Sequence, residues 1–248
     1  MQHAMRLPAL LLTIVIGAAT SAASSSLQQP IATGTLLETQ VVMPEGSVCW
    51  DVRSGSLAPA SSSPASGFHT HGLVITFVVD GIEQIEYQDG SVVTLGPGEA
   101  GLIDDAVPHR HVSVGTTPRT NFNFELSCEP LANSRGNTGP LPIWRGPAVP
   151  YRVQVRQRTW QPGAQTAVHT LSGPTATYVL EGIIGRSTTD GVGCSGAGEL
   201  YVSPVGQVAQ NTNVGESPAR TLDVDLWPMG GIRTIALPSE GQVPTPAC

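Results

Sequence analysis

The stretch Phe68-His69-Thr70-His71-Gly72-Leu73-Val74-Ile75-Thr76-Phe77-Val78-Val79-Asp80-Gly81 joins a spaced histidine pair to a β-branched run and a hairpin dipeptide. Side chains on a strand alternate between the two faces, so His69 and His71 project from one side. Leu73 to Val79 reads as a strand, and Asp80-Gly81 supplies the positive backbone angles of a tight hairpin turn. The spacing returns at His109 and His111, so four of the six histidines fall into two such pairs. Two imidazole pairs on alternating strands are a way to grip a metal ion.

Working outward, short apolar runs recur between turn signals. Gln84 to Tyr87, Ser91 to Leu95, Ala100 to Ile103, Arg110 to Val114 and Asn121 to Leu126 read as strands, with Asp89-Gly90 as a second hairpin turn. A second series follows at Tyr151 to Trp160, Ala176 to Leu180, Gly185 to Thr188, Glu199 to Ser203, Val208 to Thr212 and Arg220 to Leu226. With 28 glycines, 21 prolines and almost no helical periodicity, the chain reads as all-β, a barrel or sandwich. The two series share a frame about 100 positions apart: Gly98, Asp104, Ala106, His109, Ser113 and Gly115 against Gly198, Pro204, Gly206, Ala209, Asn213 and Gly215. One unit was copied. The predicted organisation is a leader at 1–23, an N-terminal unit at 24–132, a Pro- and Gly-rich linker at 133–150 and a C-terminal unit at 151–248. The Ser- and Ala-rich segment Ser54 to Ser66 reads as a mobile loop at the mouth of the first unit.

The leader has a sparse basic region (His3, Arg6), an apolar run from Leu10 to Gly17 and small residues through Ala22 and Ala23, the layout of a cleaved secretory signal peptide. The run is too short to span a bilayer, and with no later span the expectation is a secreted protein without a membrane anchor. Export accords with four cysteines, Cys49, Cys128, Cys194 and Cys248, which would meet an oxidising environment. Four cysteines allow three pairings. Cys49 and Cys128 flank the first unit, which favours joining them and leaves Cys194 with Cys248.

The net charge is −7, and all 12 basic residues are arginine. No basic stripe of the kind that neutralises phosphates is present, which argues against nucleic acid as a partner, and the absence of lysine excludes Schiff-base chemistry on a lysine amine. The four tryptophans, Trp50, Trp144, Trp160 and Trp227, are expected as packing between the units.

These residues resemble the cupin superfamily. Its first motif runs Gly, five residues, His-x-His, three or four residues, Glu, six residues, Gly; its second runs Gly, five residues, Pro-x-Gly, two residues, His, three residues, Asn. In the second half, Gly198, Pro204, Gly206 and Asn213 match the second motif, with Ala209 at the histidine. Gly163, His169 and Gly182 match the first, with Leu171 and Thr175 replacing ligands. In the first half, His69, His71 and His109 match the ligand positions and Gly81 and Gly98 the turns. Asp104, Ala106 and Ser113 depart from the framework, and Val74 or Ile75 stands where the glutamate belongs. The resemblance implies tandem double-stranded β-helix (jelly-roll) barrels, a bicupin whose N-terminal barrel holds one divalent transition metal, Fe, Mn, Cu, Zn or Ni, and whose C-terminal barrel is degenerate.

Three neutral imidazoles without a carboxylate would leave the metal its full charge and so attract an anion. Some cupin dioxygenases look like this, which makes a metal-dependent, dioxygenase-like oxidoreductase acting on a small anionic or enolisable molecule the leading expectation. A non-catalytic binding or storage-type cupin is the alternative. His111 is a fourth ligand, a proton shuttle, the ligand itself in a slipped register, or a rim residue without a metal. Asp104 and Asp105 are candidates to orient imidazoles from behind; Glu83 and Glu86 are the nearest glutamates for displaced ligation; His169 reads as a lone histidine, hydrogen-bonded or on the surface. No catalytic base is identified. A homodimer through edge strands is a further expectation.

Overall fold

The computed structural model describes residues 30–42, 46–64, 67–104, 106–126, 138–146, 150–238, 243–244 and 248. The leader, Asp105 and Cys128 lie outside them, as does the side chain of Cys49, so the proposed export signal and the Cys49–Cys128 pairing fall outside the described residues. Along the chain the strands are β1 (Ile31–Val42), β2 (Gly46–Leu57), β3 (Ser62–Ser63), β4 (Leu73–Asp80), β5 (Ile82–Tyr87), β6 (Val92–Leu95), β7 (Ala100–Ile103), β8 (His109–Val114), β9 (Arg119–Leu126) and β10 (Thr138–Gly146). They continue as β11 (Pro150–Trp160), β12 (His169–Leu171), β13 (Thr175–Glu181), β14 (Ile183–Thr188), β15 (Gly191–Gly196), β16 (Leu200–Ser203), β17 (Ala209–Asn213), β18 (Ala219–Pro228) and β19 (Thr234–Ala236). The fold is all-β and antiparallel. No helix among the described residues is long and apolar enough to cross a membrane.

Four sheets lie in layers. The first half forms β10-β2-β9-β4-β7 and β3-β8-β5-β6; the second forms β1-β11-β18-β13-β16 and β15-β14-β17-β12-β19. The two large sheets stack back to back. Ile75, Phe77, Phe124 and Leu126 from the first half share one core with Tyr151, Val153, Val155, Leu222, Val224 and Leu226 from the second. Because strand side chains alternate, the other face of each large sheet looks into its own unit. Val74 and Val78 there meet Ile85, Leu95 and Ile103, while Val179, Trp160 and Ala219 meet Ile184. Trp160 therefore packs inside the second unit, with its Nε1 donating to Thr221 Oγ1 at 3.0 Å, and not between the units.

Two edge strands depart from the expected unit boundaries. β1 pairs with β11 over the run from Ile31↔Trp160 to Val42↔Pro150, so the first described segment completes the second unit's sheet. β10 lies within the stretch read as linker and pairs with β2. Its prolines conceal it: Pro142 cannot donate to a ladder, but β10 is an edge strand, where proline is tolerated. Part of the expected mobile loop is strand as well. Residues 54–57 belong to β2, and Ser62–Ser63 pairs with Val112 and His111 of β8. Gly55 is small for a packing reason, since a Cβ there would lie 2.4 Å from the Asn121 side-chain amide. The disulfide Cys194–Cys248 closes the chain end onto β15.

Candidate metal centre

His69 and His71 lie just before β4, and His109 and His111 are on β8. The two stretches are tied through their backbones: His69 N–H donates to His109 O at 2.9 Å, and His109 N–H to His69 O at 3.0 Å. Alternation along β8 puts His109 and His111 on one buried face, with Arg110 turned outward to an ion pair with Glu86 at 2.5 Å. Ala106 supplies the turn before β8. It holds φ at 57° and donates its N–H to His71 O at 3.0 Å. Gly206 does the same toward Leu171 O in the second unit, at 2.9 Å and φ 76°. A non-glycine residue in this region costs about 1–3 kcal/mol, here spent next to two of the clustered histidines.

One ring nitrogen from each of His69, His71, His109 and His111 lies within 4.8 Å of all the others. Nitrogens sharing one ion at ~2.0–2.1 Å can be at most about 4.2 Å apart, so shifts of a few tenths of an ångström per ring would close this set. Ring orientation is set from behind. His71 Nδ1 lies 2.7 Å from Gly72 O, His109 Nδ1 2.8 Å from Val107 O, and His111 Nδ1 2.6 Å from a carboxylate oxygen of Glu83. Carbonyl and carboxylate oxygens only accept, so each Nδ1 carries the proton and each Nε2 keeps its lone pair. His109 Nε2 is buried without a hydrogen-bond partner, as is His69 Nδ1. Orphaned buried nitrogens beside two other imidazoles fit a metal ion as the missing partner.

The electrostatics agree. Burial, then the neighbouring imidazoles His109, His111 and His71, push His69 down to about 4. Burial likewise lowers His71 to about 4, and burial is the first cause lowering His109. All three are neutral near pH 7, the form that ligates.

Glu83 is fully buried on β5. It meets His111 Nδ1, forms a close ion pair with Arg119 through the same oxygen, and has Thr76 Oγ1 3.2 Å from the other. It is therefore a brace behind His111, away from the clustered nitrogens. The resemblance puts its glutamate at Val74 or Ile75; both are buried and apolar here, Val74 in the first unit's interior and Ile75 in the core between units. Asp104 is exposed, the ring-nitrogen bonds of the cluster go to Gly72, Val107 and Glu83 instead, and Asp105 lies outside the described residues. Sequence reasoning missed Arg119 and the brace. Their signal was the alternation Arg119, Asn121, Asn123, Glu125 along β9, a polar face turned into the first unit. Glu125, paired with Arg53 at 3.3 Å, has its carboxyl pushed up chiefly by burial.

No family model and no curated protein sequence matches the chain. Solved structures do. The oxalate decarboxylase of Lactobacillus farciminis, in complex with formate, matches with a TM-score of 0.58 at 12% identity, over 82% of this chain and 90% of its own. AerE from Microcystis aeruginosa matches with a TM-score of 0.53 at 12% identity, over 77% and 97%. Oxalate decarboxylase from Bacillus subtilis at pH 4.6 matches with a TM-score of 0.56 at 11% identity, over 83% and 78%. At such identities the likeness is one of fold. The chain has a cupin-like, all-β fold carrying a four-histidine cluster compatible with a divalent metal ion.

Proposed function

We propose that this chain is an exported bicupin metalloenzyme, an oxidoreductase of dioxygenase type that binds one divalent transition metal through His69, His71, His109 and His111. Its substrate is a small anionic or enolisable molecule. The convergence of four ring nitrogens, three of them with the tautomer locked from behind, carries this reading. When bound, the metal supplies a Lewis-acid centre that polarises an oxygen ligand and, if redox-active, permits chemistry with dioxygen. The ligands are all uncharged, so nothing in the set offsets the ion's charge and an anion is drawn to it. His69, His71, His109 and His111 would hold the ion, which would then offer its positive charge to a small anionic substrate.

The chain's own residues divide the remaining work. Glu83 and the Gly72 and Val107 carbonyls hold the imidazoles in their ligating tautomer, and Arg119 neutralises Glu83 so that the buried carboxylate is tolerated. Glu125, whose carboxyl is pushed up by burial against the opposing pull of Arg53 and the Gly72 N–H, is the group suited to hold a proton at its side-chain oxygen. One observation favours the alternative, a non-catalytic ligand-binding cupin: Glu83, the carboxylate that touches the histidine cluster, is fully engaged and so unable to serve as a base.

The test is elemental analysis of the native protein and of His109→Ala, with oxygen uptake followed over a panel of small acids and phenols. One metal per chain, lost in His109→Ala, with oxygen consumed for at least one acid is the expected result. Metal retained in the variant would sink the ligand assignment, and a loaded protein inert to the whole panel would leave the binding reading standing.

A further inference from the structure

The interior of the second unit has lost its imidazoles and gained charge. At the positions of His71, His109 and His111 stand Leu171, Ala209 and Asn211, and only His169 remains, matching His69. The strand registers are parallel in the two units. Gly55 faces Asn121 in β2 and β9, where Arg158 faces Thr221 in β11 and β18. A guanidinium thus fills the place of a glycine. Arg156, Arg158 and Arg233 line a cavity of about 280 Å³ together with Asp223 and Asp225, room for roughly nine waters at liquid density.

The ion pairs within it are incomplete. Arg156 Nη2 lies 2.5 Å from Asp225, Arg233 Nη1 3.2 Å from the same oxygen, and Arg158 Nε 2.7 Å from Asp223. Three guanidiniums against two carboxylates leave one positive charge over. Arg233, with about 29% of its side chain exposed, stands nearest to solvent. Two acceptors line the same space. Asn211 Oδ1 is buried without a partner. His169 Nδ1 lies 2.9 Å from Ala167 O and so carries the proton, leaving Nε2 as an acceptor.

We propose that this cavity is a second, metal-independent binding site for a small hydroxycarboxylate: the carboxylate neutralises the surplus arginine charge, and a hydroxyl donates to Asn211 Oδ1 or His169 Nε2. A simple anion would satisfy the arginines and leave the acceptors orphaned; a neutral polyol would do the reverse. A ligand carrying both groups satisfies both, through charge-assisted bonds on one side and buried acceptors on the other.

The experiment compares lactate with propionate, which differ by one hydroxyl, by titration calorimetry on the full chain, as purified and after chelator treatment. Lactate is expected to bind one site in the chelator-treated chain, a site the as-purified chain keeps, with propionate about tenfold weaker there, the scale of one buried hydrogen bond. Asn211→Ala should bring lactate down to the propionate level, and Arg233→Gln should weaken both acids by about tenfold. Both variants lie outside the histidine cluster, and their native metal content and unfolding midpoint confirm that they are folded. Absence of lactate binding to the chelator-treated chain, or affinity unchanged in both variants, would overturn the proposal. Since the metal-free chain is the deciding sample, the result stands apart from the fate of the metalloenzyme reading.

Discussion

The two sheet pairs share one strand frame and have opposite interiors. Both present the polar face of a long strand inward, Arg119, Asn121, Asn123 and Glu125 on β9 and Thr221, Asp223 and Asp225 on β18. In the first, four imidazoles converge and the one fully buried carboxylate braces a ring. In the second, three guanidiniums and two carboxylates occupy the equivalent space. The lesson concerns what each interior can hold. Neutral donors suit a cation, whereas the charge left over in an arginine-rich cavity repels one and attracts an anion. The fold tolerates both because the apolar core between the large sheets is separate from either cavity.

The largest effect should come from that shared core. Phe124 is fully buried between the units, and Phe124→Ala is expected to lower stability by about 3–5 kcal/mol in a single denaturant transition, leaving metal stoichiometry unchanged. Two separate transitions would break the picture of two units stabilised by one slab. Next comes the brace. Glu83→Gln removes the acceptor charge behind His111 and should weaken metal affinity about 10–100-fold, as losses behind a metal-binding histidine do. Its counterpart in the second unit is apolar: Ile184→Val should cost only about 0.5–1.5 kcal/mol of stability and leave metal affinity alone. Equal effects of the two substitutions on metal competition curves would erase the distinction between the interiors.

The smallest effect is in pH. His69 and His71 fall from the ordinary 6.5 to about 4 in the folded protein, so between those values the unfolded chain binds protons that the folded one does not. The metal-free protein should therefore show no contribution from these groups above pH 6.5 and lose stability as pH falls toward 4. Denaturant midpoints of the chelator-treated chain across that range measure it. A midpoint that rises on acidification would contradict the burial of the rings.

Local pattern made much of this legible. The His-x-His spacings, the hairpin turn at Asp89-Gly90 and the strand from Ala100 to Ile103 depend on a few adjacent residues, and the structure keeps them; Asp80-Gly81 closes no hairpin and instead carries the chain from β4 into β5 of the other sheet. The lone reading of His169 survives as a ring anchored to a carbonyl. Glu83 was visible only as a nearby glutamate, because its partners His111 and Arg119 lie 28 and 36 residues away. β10 was hidden by its prolines, and β2 was partly hidden by the small residues that let it approach β9.

By itself, the sequence determined the all-β class, the duplicated frame and the imidazole pairs, since each follows from side-chain alternation and turn chemistry within one short segment. Tertiary structure alone decided that β1 joins the second unit's sheet, that β10 forms an edge of the first, that Glu83 stands behind a ring, and that the arginines of the second unit gather around one cavity. Those outcomes depend on which strands lie side by side, and pairing partners distant in the chain are selected by the burial of whole faces, a quantity no local window contains.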